Sequence, residues 1–255
     1  MFIEKDFYEM EKKNQQCCDH SHEVFDHYHG HHSHEKNDVL EHHASVWDEL
    51  VCHLPFAVFS VALAMVCLSF VSYLDMATGK SLAYRLFHNF HYLHIVFAAT
   101  GTVLVFFKYS KNMILGLLVG IFVPATFCTV SDAFLPYLGG RFVGLDMDLH
   151  WCFISHLDVV LPFLLAGIIN GLAMSTHPMS RRLFYSFSFH FVHIFVSSMA
   201  AILYLISFGF YEWWDRMGFV FIFLVAAVLI PCTMSDVVVP MLFAKTKLKK
   251  RNRDT

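Results

Sequence analysis

Two acids recur inside apolar sequence in this chain, and each brings the same companions. Cys128-Thr129-Val130-Ser131-Asp132 followed by Pro136 returns as Cys232-Thr233-Met234-Ser235-Asp236 followed by Pro240. A carboxylate within a hydrocarbon-length run is costly, so the same acid at two matching positions implies a shared task. Residues four apart on a helix share a face, which sets Cys128 beside Asp132 and Cys232 beside Asp236. Pro136 and Pro240 carry no amide hydrogen, so in α-helical register each leaves the carbonyl of its acid free. Each motif then offers a thiol, a hydroxyl, a carboxylate and a backbone oxygen within about one helical turn.

Histidines extend the pattern. His88, His91 and His94 step along one side of one apolar run, and His190 and His193 repeat the three-residue spacing in a later one. Sorted by expected depth in a membrane, the polar groups fall into two clusters. An outer one draws on His91, His94, Asp132, His156 and Cys128, and an inner one on His190, His193, Asp236, Glu49 and His53. Ser131, Ser235 and Cys232 complete the candidate metal-ligand set. Imidazole nitrogen with carboxylate oxygen, with or without thiolate, is ligand chemistry for a divalent transition metal: zinc, iron, manganese, cobalt or nickel. The general affinity order of these ions does not choose among them.

A second metal signal lies at the N-terminus. His20, His22, His27, His29, His31, His32, His34, His42 and His43 make up half of the chain's 18 histidines, mixed with Asp and Glu and following Cys17 and Cys18. A polar His-rich tract is a compositional metal-binding signal and is expected to be disordered without metal. It has neither the basic start nor the early apolar run of a signal peptide, so it is expected to stay with the protein.

The elements that must hold these groups are membrane spans. At 56% hydrophobic residues, 28 of them Phe, the 255-residue chain has more apolar surface than a soluble core of this size hides. Six runs, 52–73, 88–107, 113–138, 151–174, 184–208 and 217–242, reach the roughly 20 residues that a helix needs to cross a bilayer. Lys108, Lys111, Arg181, Arg182 and a basic C-terminus gather on one side, against Lys80, Arg85, Arg141 and Arg216 on the other. That bias puts both termini in the cytoplasm.

The duplication reaches beyond the acids. Leu54-Pro55-Phe56 matches Leu161-Pro162-Phe163, Arg85-Leu86-Phe87 matches Arg182-Leu183-Phe184, and His91-x-x-His94-Ile95 matches His190-x-x-His193-Ile194, all in the same order. Three spans per half leave the chain on the opposite side, so the second half enters the membrane upside down. The expected fold is an all-α membrane protein of six transmembrane helices in two inverted three-helix repeats. Its expected parts are a disordered His-rich cytoplasmic tail over 1–46, repeats over 47–140 and 141–244, and a basic cytoplasmic tail over 245–255.

Inverted repeats with proline-interrupted spans at matching positions characterise secondary transporters, whose ion sites lie where the halves meet. The favoured expectation is a secondary transporter of a divalent transition-metal ion working by alternating access. Proton coupling would follow, because such ligands shed protons when they bind. No Gly-x-x-x-x-Gly-Lys-Ser/Thr loop is present, so ATP hydrolysis by this chain is not expected. The alternatives are an intramembrane metal-dependent hydrolase acting through a metal-bound water, and a haem-binding membrane protein with histidine axial ligands. Duplicated acids favour transport, since a hydrolase needs a single asymmetric site. Membrane lipid and the metal ion are the expected partners and nucleic acid is not; a homo-oligomer is allowed but not required.

Overall fold

A computed structural model describes residues 46–78, 82–176, 183–209 and 214–244. Apart from Val46, the expected tails over 1–46 and 245–255 lie outside these residues. Every regular element among the described residues is helical, and six helices are long and apolar enough to cross a membrane. They are α1 (Val46–Thr78), α2 (Leu82–Tyr109), α3 (Met113–Phe142), α4 (Leu157–Thr176), α5 (Leu183–Ser207) and α6 (Met217–Ala244). Phe59, Phe70, Ile114, Phe122, Ile169 and Ile222 are exposed on the outside of the bundle, as a surface facing lipid requires.

Several helix bounds depart from the hydropathy reading, among them the start of α2 at Leu82 rather than near 88. Helix α1 runs past the 52–73 stretch at both ends, since polar flanks can continue a helix once it leaves the hydrocarbon. The fourth span starts at Leu157 rather than near 151. Apolar Trp151 and Cys152 belong instead to a connection that ends in a single helical turn, Cys152–Ser155, and His156 adopts a non-helical backbone before α4. Gly144, at φ 81, turns the chain back after α3, a left-handed conformation open to glycine at little cost.

Helices α2 and α5 form the inner pair. In their apolar windows 61% and 67% of residues are buried, against 28% to 50% in the other four spans. Helix α2 packs on α3, α4 and α5, while α5 packs on α1, α2 and α6. The approach of α4 to α2 depends on Gly167 and Gly171. A Cβ at Gly167 would stand 2.6 Å from the Val96 carbonyl oxygen, and one at Gly171 would stand 2.9 Å from that of Thr100. Small residues four apart let membrane helices meet backbone to backbone and associate by packing.

Helices α3 and α6 are each interrupted once, by the π turns Val130–Phe134 and Met234–Val238. Both interruptions fall on the Ser-Asp motif. Leu135 and Val239 donate five residues back, to Val130 and Met234, instead of four. Carried on by one residue, this register makes the serine carbonyl the one that the following proline cannot serve, where an α-helix would have freed the aspartate carbonyl. In α6 the Ser235 carbonyl indeed accepts from Thr102 Oγ1 of α2 at 3.0 Å. Single π turns within α-helices are frequent at functional sites.

Candidate metal centre

Asp132 is fully buried, and both of its oxygens are engaged. Oδ2 accepts from His91 Nδ1 at 2.9 Å and from His94 Nδ1 at 2.7 Å, while Oδ1 accepts from Ser131 Oγ at 2.7 Å and Ser197 Oγ at 3.0 Å. Four donors offset much of the cost of taking a carboxylate out of water. A carboxylate accepts, so each imidazole donates through Nδ1, which turns its Nε2 away from the acid. His94 Nε2 faces two thiols, Cys232 Sγ at 3.7 Å from α6 and Cys128 Sγ at 3.8 Å from α3. These cysteines belong to different apolar clusters, so the polar centre lies where two parts of the core meet.

Asp236 is buried as well, with a different environment. His193 Nδ1 lies 2.6 Å from its Oδ2 without the alignment of a hydrogen bond, and His190 Nδ1 stands at 4.0 Å. Asp236 Oδ1 and His193 Nε2 are buried with no hydrogen-bond partner, as is His91 Nε2. The carboxylate rests against the backbone of α2 at Gly101, where a Cβ would meet its Cγ and Oδ2 at 3.1 Å. His53, His190, His193, Cys232 and Asp236 line a small cavity of about water size on this side.

The two halves meet at His94 and His193, whose ring centroids are 4.8 Å apart. One donor atom from each of His94, His193 and Cys232 lies within 4.8 Å of the others, and all three residues are buried. Two imidazoles and a thiol converging this way form a group able to hold a metal ion, and the orphaned nitrogen of His193 fits a ligand that is not part of the chain. The carboxylates stand behind the imidazoles. At His94, whose Nδ1 donates to Asp132, an outer carboxylate fixes the tautomer and raises the basicity of a metal-binding histidine, while Asp236 stands close to His193 without an aligned hydrogen bond.

The placement differs from the expected one in several respects. The two clusters are not separate, because His94 and His193 bring them into contact in mid-bundle. Asp132 addresses histidine and serine rather than open space for an ion, since His91, His94, Ser131 and Ser197 take up its oxygens. Ser235 Oγ pairs with Thr102 Oγ1 at 3.4 Å instead of joining the donor group. His190 stays at the margin, edge-on to His53 at 5.2 Å. The side chain of Glu49 lies outside the described residues. His156 is grouped with His88 and His150, not with Asp132, because the span it was assigned to starts one residue after it. Burial pushes the Cys152 thiol up to about 12, with Asp132 adding to the shift, so this other buried cysteine stays protonated.

Three contributors were not singled out in the sequence. Ser197 follows His193 by one turn and so shares its face, a signal that was present but unused. Gly101 and Thr102 follow His94 by about two turns, and only the helix contact explains their part. No protein-family model matches this sequence, and no curated protein or solved structure is similar to it, so any account of its function rests on the site's own chemistry.

Proposed function

We propose that this chain is a secondary transporter that carries a divalent transition-metal ion across a membrane by alternating access. The observation that carries this reading is the buried His94, His193 and Cys232 group, assembled from α2, α5 and α6 and bordered on one side by a small cavity. A thiol with two imidazoles favours zinc, cobalt, nickel or iron over the oxygen-seeking manganese ion.

Several features support an inverted repeat behind this site. The Ser-Asp motifs carry the same π turn, the paired histidines precede them at corresponding places on α2 and α5, and α2 and α5 keep corresponding neighbours. In such a fold the halves exchange roles. The conformation described here has its cavity beside Asp236, and the alternate one would open beside Asp132 instead. Both termini are assigned to the cytoplasm from the Lys and Arg bias, and the His-rich N-terminus is given the role of buffering or sensing the ion.

Proton exchange has a route in this reading. Cys232 must lose its proton to bind a metal. Its Sγ contacts Ser197 Oγ at 3.5 Å, and Ser197 contacts Asp132 Oδ1 at 3.0 Å, a path from thiol to carboxylate. The cavity beside the central group is of about water size and has no room for a porphyrin at that place.

A second reading has one observation in its favour. Three protein donors beside a water-sized cavity is also the composition of a catalytic zinc site, with the unpartnered Asp236 Oδ1 available as a base. Flux of a panel of divalent ions into proteoliposomes, compared for the wild type, Asp132→Asn and Asp236→Asn, separates the two. Transport gives flux in the wild type that is lost in both variants, whereas a hydrolase would give no flux in any of the three proteins. Equal flux of every ion with and without protein would remove the transporter.

A further inference from the structure

A second histidine group sits where α2 begins and α4 begins, away from the central one. His88 comes from α2, His150 from the connection after α3, and His156 from the residue preceding α4. One ring nitrogen from each lies within 4.8 Å of the others, and all three residues are half-buried.

Each of the three residues is held in place by its neighbours. His88 Nδ1 reaches the Tyr84 carbonyl oxygen at 2.9 Å. A carbonyl only accepts, so Nδ1 carries the proton and Nε2 is left as a lone pair. That Nε2 stands 3.4 Å from His150 Nε2. His150 is fixed in turn from α5: its backbone N–H donates to the Tyr204 hydroxyl at 3.0 Å, and that hydroxyl donates to the Asp148 carbonyl at 3.0 Å. The His150 ring also stacks on Phe208, with centroids 5.2 Å apart and planes at 15°. His156 accepts at its carbonyl from Val159 and Val160, which anchors it at the start of α4.

We propose that His88, His150 and His156 form a second binding site for a divalent transition-metal ion, at which the ion docks before or after passing the central group. A backbone carbonyl behind a metal-binding imidazole fixes its tautomer, which is the part Tyr84 plays for His88. The group consists of three neutral-type donors and lacks the thiol that the central group has in Cys232, so its binding of the ion is weaker and more readily reversed than there. His91 stands one turn from His88 and one turn from His94 on the same side of α2, and its buried Nε2 has no partner. It supplies an intermediate lone pair between the two groups. The docking role rests on the transport reading, but the existence of the site does not.

Residue-resolved protection tests the site in the full-length chain, because each modified peptide is read separately and plotting against free zinc allows for the zinc taken up by the N-terminal histidines. The protein in lipid nanodiscs is treated with diethyl pyrocarbonate across a titration of zinc chloride, and modification of His150 and His156 is followed by mass spectrometry. The expected result is joint protection of both residues at one zinc midpoint. His88→Ala should raise that midpoint at least about tenfold, and His150→Ala, a change in a connecting segment, should do the same for His156. Cys232→Ser should leave the midpoint unchanged. Absence of protection, or midpoints that neither variant moves, overturns the proposal. If protection behaves as expected while zinc flux is absent, the site stands and the transport reading falls; if flux requires the central group but protection is missing, the reverse holds.

Discussion

Asp132 and Asp236 occupy the same place in matching sequence, yet their surroundings diverge. Asp132 is bound by two histidines and two serines. Asp236 has one close histidine at 2.6 Å, a second at 4.0 Å, an oxygen without a partner and a cavity at its side. Single residues on the inner helices account for the difference. Where Ser197 of α5 reaches Asp132, the matching position on α2 is Ala98; where Thr102 of α2 reaches the Ser235 carbonyl, the matching position on α5 is Ala201. Small side chains on α2 and α5 go with that difference: Asp132 is held on both oxygens, and Asp236 keeps one available to a ligand.

The largest effect is expected at the saturated acid. Asp132→Ala leaves two imidazoles and two hydroxyls without their partner in a buried site and should cost about 3–5 kcal/mol, read as a fall in thermal stability in detergent. Asp236→Ala removes fewer contacts and should cost about 1 kcal/mol while abolishing ion flux. Equal losses at the two positions would erase the contrast.

Next in size is the α2 contact. Gly101→Ala places a methyl group against the Asp236 carboxylate and should raise the ion concentration for half-maximal flux about tenfold, as misplacing a carboxylate behind a metal-binding histidine commonly does. Ser197→Ala should cost about 1–2 kcal/mol, since it removes a hydroxyl shared by Asp132 and Cys232. Smallest is Thr102→Val, which strips the Ser235 carbonyl of its donor and should cost about 1 kcal/mol in the same melting assay.

How far these features could be read in the sequence follows from the range of each interaction. Six spans were legible because apolar length is a local property, whereas the thiol of Cys128 lies against His94 and not against Asp132, the neighbour that helical spacing gave it. The start of α4 departs from the apolar pattern because Trp151 and Cys152 are apolar without being in a span, and the contact of Tyr204 with His150 and Asp148 shows what holds that connection. The convergence of His94, His193 and Cys232 was beyond reach, since those residues come from three helices whose contacts no local pattern encodes. The π turns were hidden for a related reason. Pro136 and Pro240 announce a missing hydrogen bond, but which carbonyl loses it depends on a register shift that the motif does not spell out.

The central claim is that one ion passes through the His94, His193 and Cys232 group between the two halves. Zinc flux into proteoliposomes carrying equal amounts of wild type and His193→Ala measures it most directly, because His193 both belongs to that group and faces Asp236. The account predicts saturable flux for the wild type and flux no greater than that of protein-free vesicles for His193→Ala. A His193→Ala protein that carried zinc as fast as the wild type would contradict it.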